Sequence, residues 1–199
     1  MTDPEYNNTL DQAIKTAFLD RDGVLNEKMQ EGNYVTCWAE FRLLQGVAEA
    51  IRRLNRAGVR VIVVSNQRGI ALGLYTAADV EAIHSSLQKV LQTQGAQIDD
   101  FFFCPHDKGQ CNCRKPMPGL FEQAIVKYPE ITADSSIMIG DSLSDVEFGQ
   151  RLGIKTVFVD NGSAYHQKPG SSAARQLANR CAASLSEAVD WMLQKPTLA

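Results

Sequence analysis

The sequence lacks long apolar runs, a strong net charge and an apolar leader. None of its uninterrupted apolar runs approaches the roughly 20 residues that a membrane-spanning helix needs. Residues 1–12 are polar and contain no signal-peptide core. The formal net charge is −3, from 20 basic and 23 acidic residues, which gives no electrostatic footprint for nucleic acid or an anionic membrane. We therefore expect a soluble, cytoplasmic protein with neither nucleic acid nor membrane as a partner.

The number and distribution of the cysteines argue against a disulfide framework. The chain has 5 cysteines, an odd number, and Cys104, Cys111 and Cys113 fall close together. Clustered thiols in a chain without a secretory signal are more typical of metal binding in a reducing compartment than of disulfides. Cys37 and Cys181 stand apart from this cluster and are expected to be ordinary reduced cysteines.

Apolar strand patterns alternate with helical patterns along most of the chain. The strand signals cover residues 16–19, 59–64, 101–103, 136–139 and 154–159. Helical signals cover 47–57, 76–94, 118–128, 143–152 and 184–193, whereas 160–172 is rich in Gly, Ser and Pro and is predicted to be a loop. This alternation predicts an α/β fold with a Rossmann-like, doubly wound, mainly parallel sheet and helices on both of its faces.

No internal repeat or linker divides the chain. We therefore expect residues 1–199 to form a single domain, in which residues 1–15 are a flexible leader. The intervals between the early strands have room for loops and single helices only, so no cap domain is expected.

The first strand ends on two carboxylates, Asp20 and Asp22, which are followed by Gly23. In an open parallel sheet, ligands bind beyond the carboxyl ends of the strands, so these side chains should project into a cleft. Gly23 allows the chain to turn sharply away at this point. Two carboxylates this close repel each other, and they either hold a cation or separate their pKa values. Asp-Gly is also an ordinary turn dipeptide, so a functional interpretation of Asp20 and Asp22 depends on the polar clusters that follow them in the chain.

Three more polar clusters follow along the chain. They are Ser65-Asn66-Gln67, Arg114-Lys115-Pro116 and the segment from Asp141 to Asp145. Taken alone, each has an ordinary explanation as a helix cap, a solvated lysine or an exposed acid in a first helical turn. Together with the Asp pair, and in this order, they resemble the haloacid dehalogenase-like phosphohydrolases over residues 17–160.

The resemblance implies a magnesium-dependent phosphatase that works through an aspartyl-phosphate. A phosphate monoester dianion repels anionic nucleophiles, so a carboxylate attacks it only where positive charge is supplied. We assign Asp20 as the nucleophile and Asp22 as the general acid and then the general base. Ser65 and Lys115 would stabilise the phosphoryl oxygens.

The same resemblance implies a Mg²⁺ site made of Asp20, Asp141 and the backbone carbonyl of Asp22. Metal-bound Asp20 should stay ionised, and Asp22, beside a like charge, should have the higher pKa. Asp145 is a weaker candidate as a support for the metal ligands.

A second signature consists of Cys104, His106, Cys111 and Cys113. Three thiolates and an imidazole suit a closed tetrahedral Zn²⁺ site, although the one-residue gaps are tighter than the usual two-residue gap. Because no coordination position remains for water, we expect the zinc of this small loop to be structural. The zinc would hold this segment in place and so direct Arg114 and Lys115 toward the active site. A group of free thiols is the alternative.

The zinc signature narrows the resemblance to the capless, zinc-containing branch of the family. That branch includes the D-glycero-D-manno-heptose 1,7-bisphosphate 7-phosphatases, which serve lipopolysaccharide or surface-glycan precursor synthesis, and the histidinol-phosphatase domain of histidine biosynthesis. Residues 32–35 and the Pro-Gly after the Arg-Lys pair are similar to the heptose enzymes. The short gap between His106 and Cys111 is similar to the histidinol enzymes. We favour removal of the 7-phosphate of the heptose bisphosphate, because that similarity covers more residues.

The resemblance also implies a set of substrate-binding residues. They are Glu31, Gly32, Asn33, Tyr34, Asn66, Gln67, Arg68 and Arg114. Arg114 suits a second phosphate, because a guanidinium offers a fork of donors. Arg68, Leu72 and Ser142 depart from the residues typical of the heptose enzymes, which changes the basic character around the mouth of the site.

Three alternative functions stay open beside this one. The first is a histidinol-phosphate phosphatase. A nucleic-acid 3′-phosphatase shares the Asp-x-Asp and Ser-Asn-Gln elements, but the small negative net charge disfavours it. A non-catalytic, zinc-stapled binding module is disfavoured because no residue of the catalytic set is missing. We expect a monomer whose partner is a small phosphorylated sugar.

Overall fold

Six parallel strands form one sheet within the described part of the computed structural model, which comprises residues 13–30, 32–162 and 169–194. The strands are β1 (Thr16–Leu19), β2 (Arg60–Asn66), β3 (Asp100–Cys104), β4 (Ser136–Gly140), β5 (Lys155–Val159) and β6 (Arg180–Ala182). Their order across the sheet is β3-β2-β1-β4-β5-β6, and every neighbouring pair is parallel. This is the strand order of doubly wound α/β folds, and it confirms the predicted fold class.

The helices lie on both faces of the sheet. In the described residues they are α1 (Val47–Arg56), α2 (Ala77–Thr93), α3 (Gly119–Lys127), α4 (Leu143–Leu152), α5 (Pro169–Leu177) and α6 (Leu185–Leu193), with a 3₁₀ turn at Trp38–Glu40. The buried side chains of α1 and α6, together with Ile83, Leu87 and Leu91 of α2, belong to one apolar cluster, and those of α3 belong to another. Successive strand residues point to opposite faces, so Leu19 joins the first cluster and Phe18 the second.

Local sequence explains where the helices begin and end. The Thr76 hydroxyl accepts a hydrogen bond from the Asp79 N–H, and the Asp79 carboxylate accepts one from the Thr76 N–H, which caps the start of α2. The chain leaves α1 through Gly58, whose φ of +72° is a conformation that glycine adopts without strain. Both boundaries agree with the predicted segments.

The carboxyl-terminal part departs from the prediction. Part of the predicted loop 160–172 is helical, because α5 begins at Pro169, and residues 163–168 of that loop lie outside the described residues. Proline is common in a first helical turn, where its missing N–H has no partner to lose. Strand β6 was not predicted, since its 3 residues are too few to show a period-2 pattern.

The predicted leader is too long at its carboxyl end. Residues 1–12 of it lie outside the described residues. Ile14, however, packs against the core, and the Lys15 N–H donates to the Ser135 carbonyl at 2.8 Å. Ile14 and Lys15 therefore belong to the packed structure rather than to a flexible leader.

The fold brings three strand ends together at the centre of the sheet. Leu19 of β1 is in register with Val63 of β2 and Ile139 of β4, so the residues that follow them are neighbours. In the described residues between β1 and β2 there is only a loop, the 3₁₀ turn and α1, which agrees with the absence of a cap. Of the helices that the structure describes, none has the length and hydropathy to cross a bilayer.

Candidate active site

Gly23 shapes the turn that carries Asp20 and Asp22 away from β1. Its φ is +98°, a left-handed conformation in which other residues are strained. A Cβ atom at this position would lie 2.1 Å from the Asp141 Oδ2 atom. Glycine is therefore required twice, for the backbone conformation and for the close approach of Asp141. The predicted sharp turn is present, and its second cause is visible only in the structure.

A buried ammonium connects the strand ends. Lys115 Nζ lies 2.9 Å from Asp20 Oδ1, 2.6 Å from Asp145 Oδ1 and 2.7 Å from the carbonyl oxygen of Val64. The side chains of Lys115 and Asp145 are each only 1% exposed, which excludes a solvated surface lysine. Asp145 Oδ2 accepts hydrogen bonds from the Ser142 N–H and hydroxyl, at 3.0 and 2.5 Å, which holds the carboxylate beside Lys115.

Asn66 fixes the backbone of Lys115. Its Nδ2 donates to the Lys115 carbonyl at 3.1 Å, and the Lys115 N–H donates to its Oδ1 at 2.9 Å. Asn66 lines the cleft, as expected for a substrate-binding residue, but both ends of its amide are used to hold Lys115. It therefore ties the Arg-Lys segment to the end of β2.

Three carboxylates converge where a metal ion was predicted. Asp20, Asp141 and Asp145 each place an oxygen within 4.8 Å of the others. Oxygens this close suit octahedral Mg²⁺, whose ligand bonds are about 2.1 Å long. Both oxygens of Asp145 are held, Oδ1 by Lys115 and Oδ2 by Ser142, whereas Lys115 contacts only Oδ1 of Asp20. Asp20 and Asp141 therefore remain the predicted metal ligands. Lys28, which the sequence analysis missed, places its Nζ 2.8 and 2.7 Å from the two carboxylate oxygens of Asp141.

The electrostatics of the two aspartates differ from the expected order. Burial raises the pKa of Asp20, although the charge of the Lys115 ammonium partly lowers it. Burial also raises the pKa of Asp22, but the Arg21 guanidinium and hydrogen bonds from Asn26, Arg21 and Gln67 outweigh it, so the pKa lies below its usual value. The expectation that Asp22 has the higher pKa was made for Asp20 bound to a metal ion, and without the ion the order is the opposite. The reason is Arg21, whose Nη2 lies 3.0 and 2.9 Å from the two Asp22 oxygens.

Ser65 and Gln67 lie beside Asp22 at the end of β2. Ser65 is buried and belongs to the strand itself, which excludes the interpretation as a helix cap. Gln67 Nε2 donates to Ser65 Oγ at 2.7 Å and to Asp22 Oδ2 at 3.2 Å. The Gln67 amide, predicted to bind substrate, therefore supports two of the predicted catalytic groups.

The site opens into a cleft of about 390 Å³. Its lining includes these predicted substrate-binding residues: Gly32, Asn33, Tyr34, Asn66, Gln67, Arg68 and Arg114. Glu31 was also predicted, but it lies outside the described residues. Lys28 and Lys108 add positive charge to the lining and were missed, because both lie on loops that have no periodic pattern.

The predicted zinc ligands form a compact cluster. The Sγ atoms of Cys104, Cys111 and Cys113 lie 3.0–3.4 Å apart, and His106 Nδ1 is 3.2 Å from Cys113 Sγ and 3.7 Å from Cys104 Sγ. Sulfurs around tetrahedral zinc, with bonds of about 2.3 Å, are about 3.8 Å apart, so an ion would need only a small outward shift. The cluster therefore has the donor set and the size of a closed metal site.

The Cys-rich loop, residues 104–118 from the end of β3 to the start of α3, also contributes residues to the cleft. Asp107, which follows His106, accepts hydrogen bonds from Arg68 Nε at 2.5 Å and Arg68 Nη2 at 3.2 Å. The hydrogen bond from Arg68 is the main cause that lowers the pKa of Asp107 to about 2. One loop thus positions Arg68 through Asp107 and carries Lys108 and Arg114 directly.

Comparison with known proteins agrees with this geometry. A protein-family model described as HAD-hydrolase-like matches residues 112–188. The D-glycero-α-D-manno-heptose-1,7-bisphosphate 7-phosphatase of Mycobacterium tuberculosis (strain CDC 1551 / Oshkosh) is 43% identical over 136 residues, covering 68% of this chain and 71% of that protein. The D-glycero-β-D-manno-heptose-1,7-bisphosphate 7-phosphatase of Rhodopseudomonas palustris is 42% identical over 146 residues, covering 69% of this chain and 79% of that protein.

A solved structure extends the similarity over nearly the whole fold. The D,D-heptose 1,7-bisphosphate phosphatase from B. bronchiseptica, complexed with magnesium and phosphate, has a TM-score of 0.78 and 29% identity, covering 91% of this chain and 99% of that one. The chain belongs to the haloacid dehalogenase-like family and is a phosphatase, an enzyme that hydrolyses phosphate esters. Within that family, the relatives described above are heptose 1,7-bisphosphate phosphatases.

Proposed function

We propose that this protein removes the 7-phosphate of D-glycero-D-manno-heptose 1,7-bisphosphate, in the synthesis of nucleotide-activated heptose for lipopolysaccharide or other surface glycans. The observation that carries the proposal is the buried Lys115 ammonium, 2.9 Å from the Asp20 carboxylate, at the floor of a cleft with a basic lining. Relatives of 42–43% identity bear this activity in their names, which supports a sugar bisphosphate as the substrate.

In the first half-reaction, a carboxylate oxygen of Asp20 attacks the phosphorus atom of the 7-phosphate, and the bond between phosphorus and the sugar oxygen breaks. Asp22 donates its proton to that oxygen, so the sugar leaves as an alcohol. Lys115 and Ser65 donate hydrogen bonds to the phosphoryl oxygens, on which negative charge develops in the transition state. The phosphate dianion beside Asp22 raises the pKa of this carboxyl by charge repulsion, which opposes the effect of Arg21.

In the second half-reaction, Asp22 is a carboxylate and accepts a proton from water. The water oxygen attacks the phosphorus of the aspartyl-phosphate, the bond to Asp20 breaks, and inorganic phosphate is released. One water is consumed, and one alcohol and one phosphate are formed. Asn26 and Gln67 hold Asp22 in place by hydrogen bonds of 3.0 and 3.2 Å, which supports its use in both steps.

The donor sets fit the two metals that we propose. Asp20, Asp141 and the backbone carbonyl of Asp22 would hold Mg²⁺, which supplies positive charge to the phosphoryl group when bound. The solved relative with magnesium and phosphate supports this choice of ion. The three sulfurs and the imidazole of the Cys-rich loop would hold a structural Zn²⁺, because they leave no ligand position open.

We assign the second phosphate of the substrate to the basic wall of the cleft. Among the described residues, Arg114 Nη1 is buried without a hydrogen-bond partner, so it is available to an anionic oxygen. Arg68 and Lys108 line the same cleft and add positive charge. Gly32, Asn33 and Tyr34 line the same cleft and would contact the sugar.

The test is phosphate release with Mg²⁺ from both anomers of the heptose bisphosphate and from histidinol phosphate, side by side. Relatives of nearly equal identity are named for the α- and the β-anomer, so both must be offered. We expect a large preference in kcat/KM for one heptose anomer, which also identifies that anomer. A preference for histidinol phosphate would replace the proposal by the alternative function. Weak and equal activity on all three would point to a different phosphorylated substrate.

We also propose that the enzyme works as a monomeric single domain in the cytoplasm. Its cysteines are unpaired, which supports a reducing compartment. The small net charge supports a small-molecule substrate and no nucleic acid. Sedimentation velocity at micromolar concentration should give the mass of one chain, and a mass of two chains would contradict this.

A further inference from the structure

Tyr75 is a buried residue that has no role in the two half-reactions but contacts a residue of the active site. It lies just before α2, and its hydroxyl donates to Gln67 Oε1 at 2.8 Å. Tyr75 is 7% exposed and Gln67 is 1% exposed, so water does not compete strongly for this bond. At its other end, the Gln67 amide donates to Ser65 and Asp22. One hydroxyl is thus connected through one amide to two groups of the proposed mechanism.

The orientation of the Gln67 amide decides whether Asp22 and Ser65 face its hydrogen-bond donor or its acceptor. A side-chain amide has one accepting end and one donating end. When Tyr75 donates to Oε1, the NH₂ group faces Ser65 and Asp22. The reversed amide would place Oε1 against the Asp22 carboxylate, where two acceptors repel each other. Burial raises the pKa of Tyr75 to about 12, so the hydroxyl keeps the proton that it donates.

The turn after β2 fixes the position of the Tyr75 ring. A Cβ atom at Gly69 would lie 2.0 Å from Tyr75 Cε1, so the ring packs directly on the glycine backbone. The Leu74 N–H donates to the Gly69 carbonyl at 2.9 Å and closes the turn that carries the ring. On the side of the cleft, the Tyr34 ring centre lies 5.9 Å from that of Tyr75. A ring supported by backbone and by a second ring holds its hydroxyl in one place.

We propose that Tyr75 is a positioning residue of the phosphatase: its hydroxyl fixes the Gln67 amide, and this amide holds Asp22 in its reactive orientation. The inference rests on the proposed function, because it assumes the role assigned there to Asp22. Tyr75 is not among the residues that line the cleft, and its hydroxyl donates to Gln67.

Tyr75→Phe tests the inference, because it deletes one hydroxyl and leaves the ring on Gly69. We expect kcat/KM for the heptose bisphosphate to fall about tenfold, since a buried acceptor loses its donor and Asp22 loses its orientation. The phenolate of p-nitrophenyl phosphate leaves without a proton, so kcat/KM for this ester should fall much less. The ratio of the two values is a readout that a purely structural role of Tyr75 would not change.

Two further variants show whether the hydroxyl acts through the amide. Tyr128→Phe is the matched control, because its hydroxyl bonds to Asp100 Oδ2 at 3.2 Å and neither residue lines the cleft, so both kcat/KM values should stay unchanged. In a Gln67→Ala background, Tyr75→Phe should have no additional effect on either ester. An additional loss in that background would overturn the proposed route.

The inference is also overturned if Tyr75→Phe keeps the wild-type preference between the two esters or lowers both values equally. Asp22→Asn separates this failure from failure of the proposed function. If Asp22→Asn hydrolyses the heptose bisphosphate normally, the assigned role of Asp22 is wrong. If Asp22→Asn is inactive on it while Tyr75→Phe behaves as wild type, only the inference about Tyr75 is wrong.

Discussion

Asp20 is the side chain on which the proposed chemistry depends most directly. It is buried at the end of β1 and paired with Lys115, which keeps its second partner, Asp145, when Asp20 is changed. A carboxamide has the same shape but cannot form an acyl phosphate. We therefore expect Asp20→Asn to lower kcat by at least about 10³-fold, measured as phosphate release with saturating Mg²⁺. Its melting temperature should stay within a few degrees of the wild type.

Asp134→Asn is the control for this experiment, since Asp134 is exposed and precedes β4 at the opposite edge of the sheet. It should leave kcat unchanged. Substantial residual turnover in Asp20→Asn would contradict the assignment of Asp20 as the nucleophile.

The Cys-rich loop between β3 and α3 is the element whose metal we expect to stabilise the fold. It brings three sulfurs and an imidazole together, and these groups repel or lack partners once the ion is gone. Removal of zinc with a strong chelator, followed by return of excess Mg²⁺, should lower the melting temperature by several degrees. Activity should fall as a consequence, because the same loop carries Lys115.

Two cysteine variants give the comparison for zinc removal. Cys111→Ser should lose bound zinc and stability together, whereas Cys37→Ser, at an exposed cysteine outside the cluster, should keep both. Loss of turnover after zinc removal, with no change in melting, would show that the zinc is not structural.

The same loop should influence substrate binding through Asp107. Asp107→Asn removes the charge that holds Arg68 at the cleft, so Arg68 loses part of its orientation. We expect a KM that is a few-fold higher with kcat nearly unchanged, because a partly exposed ion pair contributes modestly. Steady-state kinetics on the heptose bisphosphate, together with zinc content by elemental analysis, checks this. An unchanged or lower KM, or a loss of zinc, would contradict this role of Asp107.

For the molecule as a whole, acid should reduce stability through a histidine that takes no part in the chemistry. His84 of α2 is 4% exposed and stacks on Phe101 of β3, with ring centres 4.4 Å apart. Burial lowers the pKa of His84 from 6.5 to about 3, and the charge of Arg21 acts in the same direction while that of Asp22 opposes it. The unfolded chain therefore binds this proton at a higher pH than the folded one.

The resulting loss of stability has a defined pH window. Above pH 6.5 the contribution of neutral His84 is complete, and it is lost progressively as the pH falls towards 3. Between pH 6.5 and pH 5, the free energy of unfolding should fall by about 2 kcal/mol from this group. Urea unfolding at both pH values should show a smaller difference for His84→Gln and His84→Phe than for the wild type. An equal difference in all three proteins would assign the effect to other groups.

Much of the fold could be predicted because its signals are local. The bounds of β1 and α4 in the structure are those predicted, since a short apolar run and a 3.6-residue period need no knowledge of the rest of the chain. Strand β6 and the start of α5 could not be predicted, because three strand residues carry no pattern and β6 forms only by pairing with β5. The leader was predicted too long, because the packing of Ile14 on the core and the hydrogen bond from Lys15 to Ser135 are tertiary contacts.

The sequence by itself determined which residues line the centre of the site, because the carboxyl ends of parallel strands meet at one edge. It therefore placed Asp20, Ser65 and Asp141 together. Only the tertiary structure decided the contacts between loops, such as Lys28 with Asp141, 113 positions apart, and Arg68 with Asp107, 39 positions apart. Such contacts depend on the path of irregular backbone, which has no period that a sequence can display.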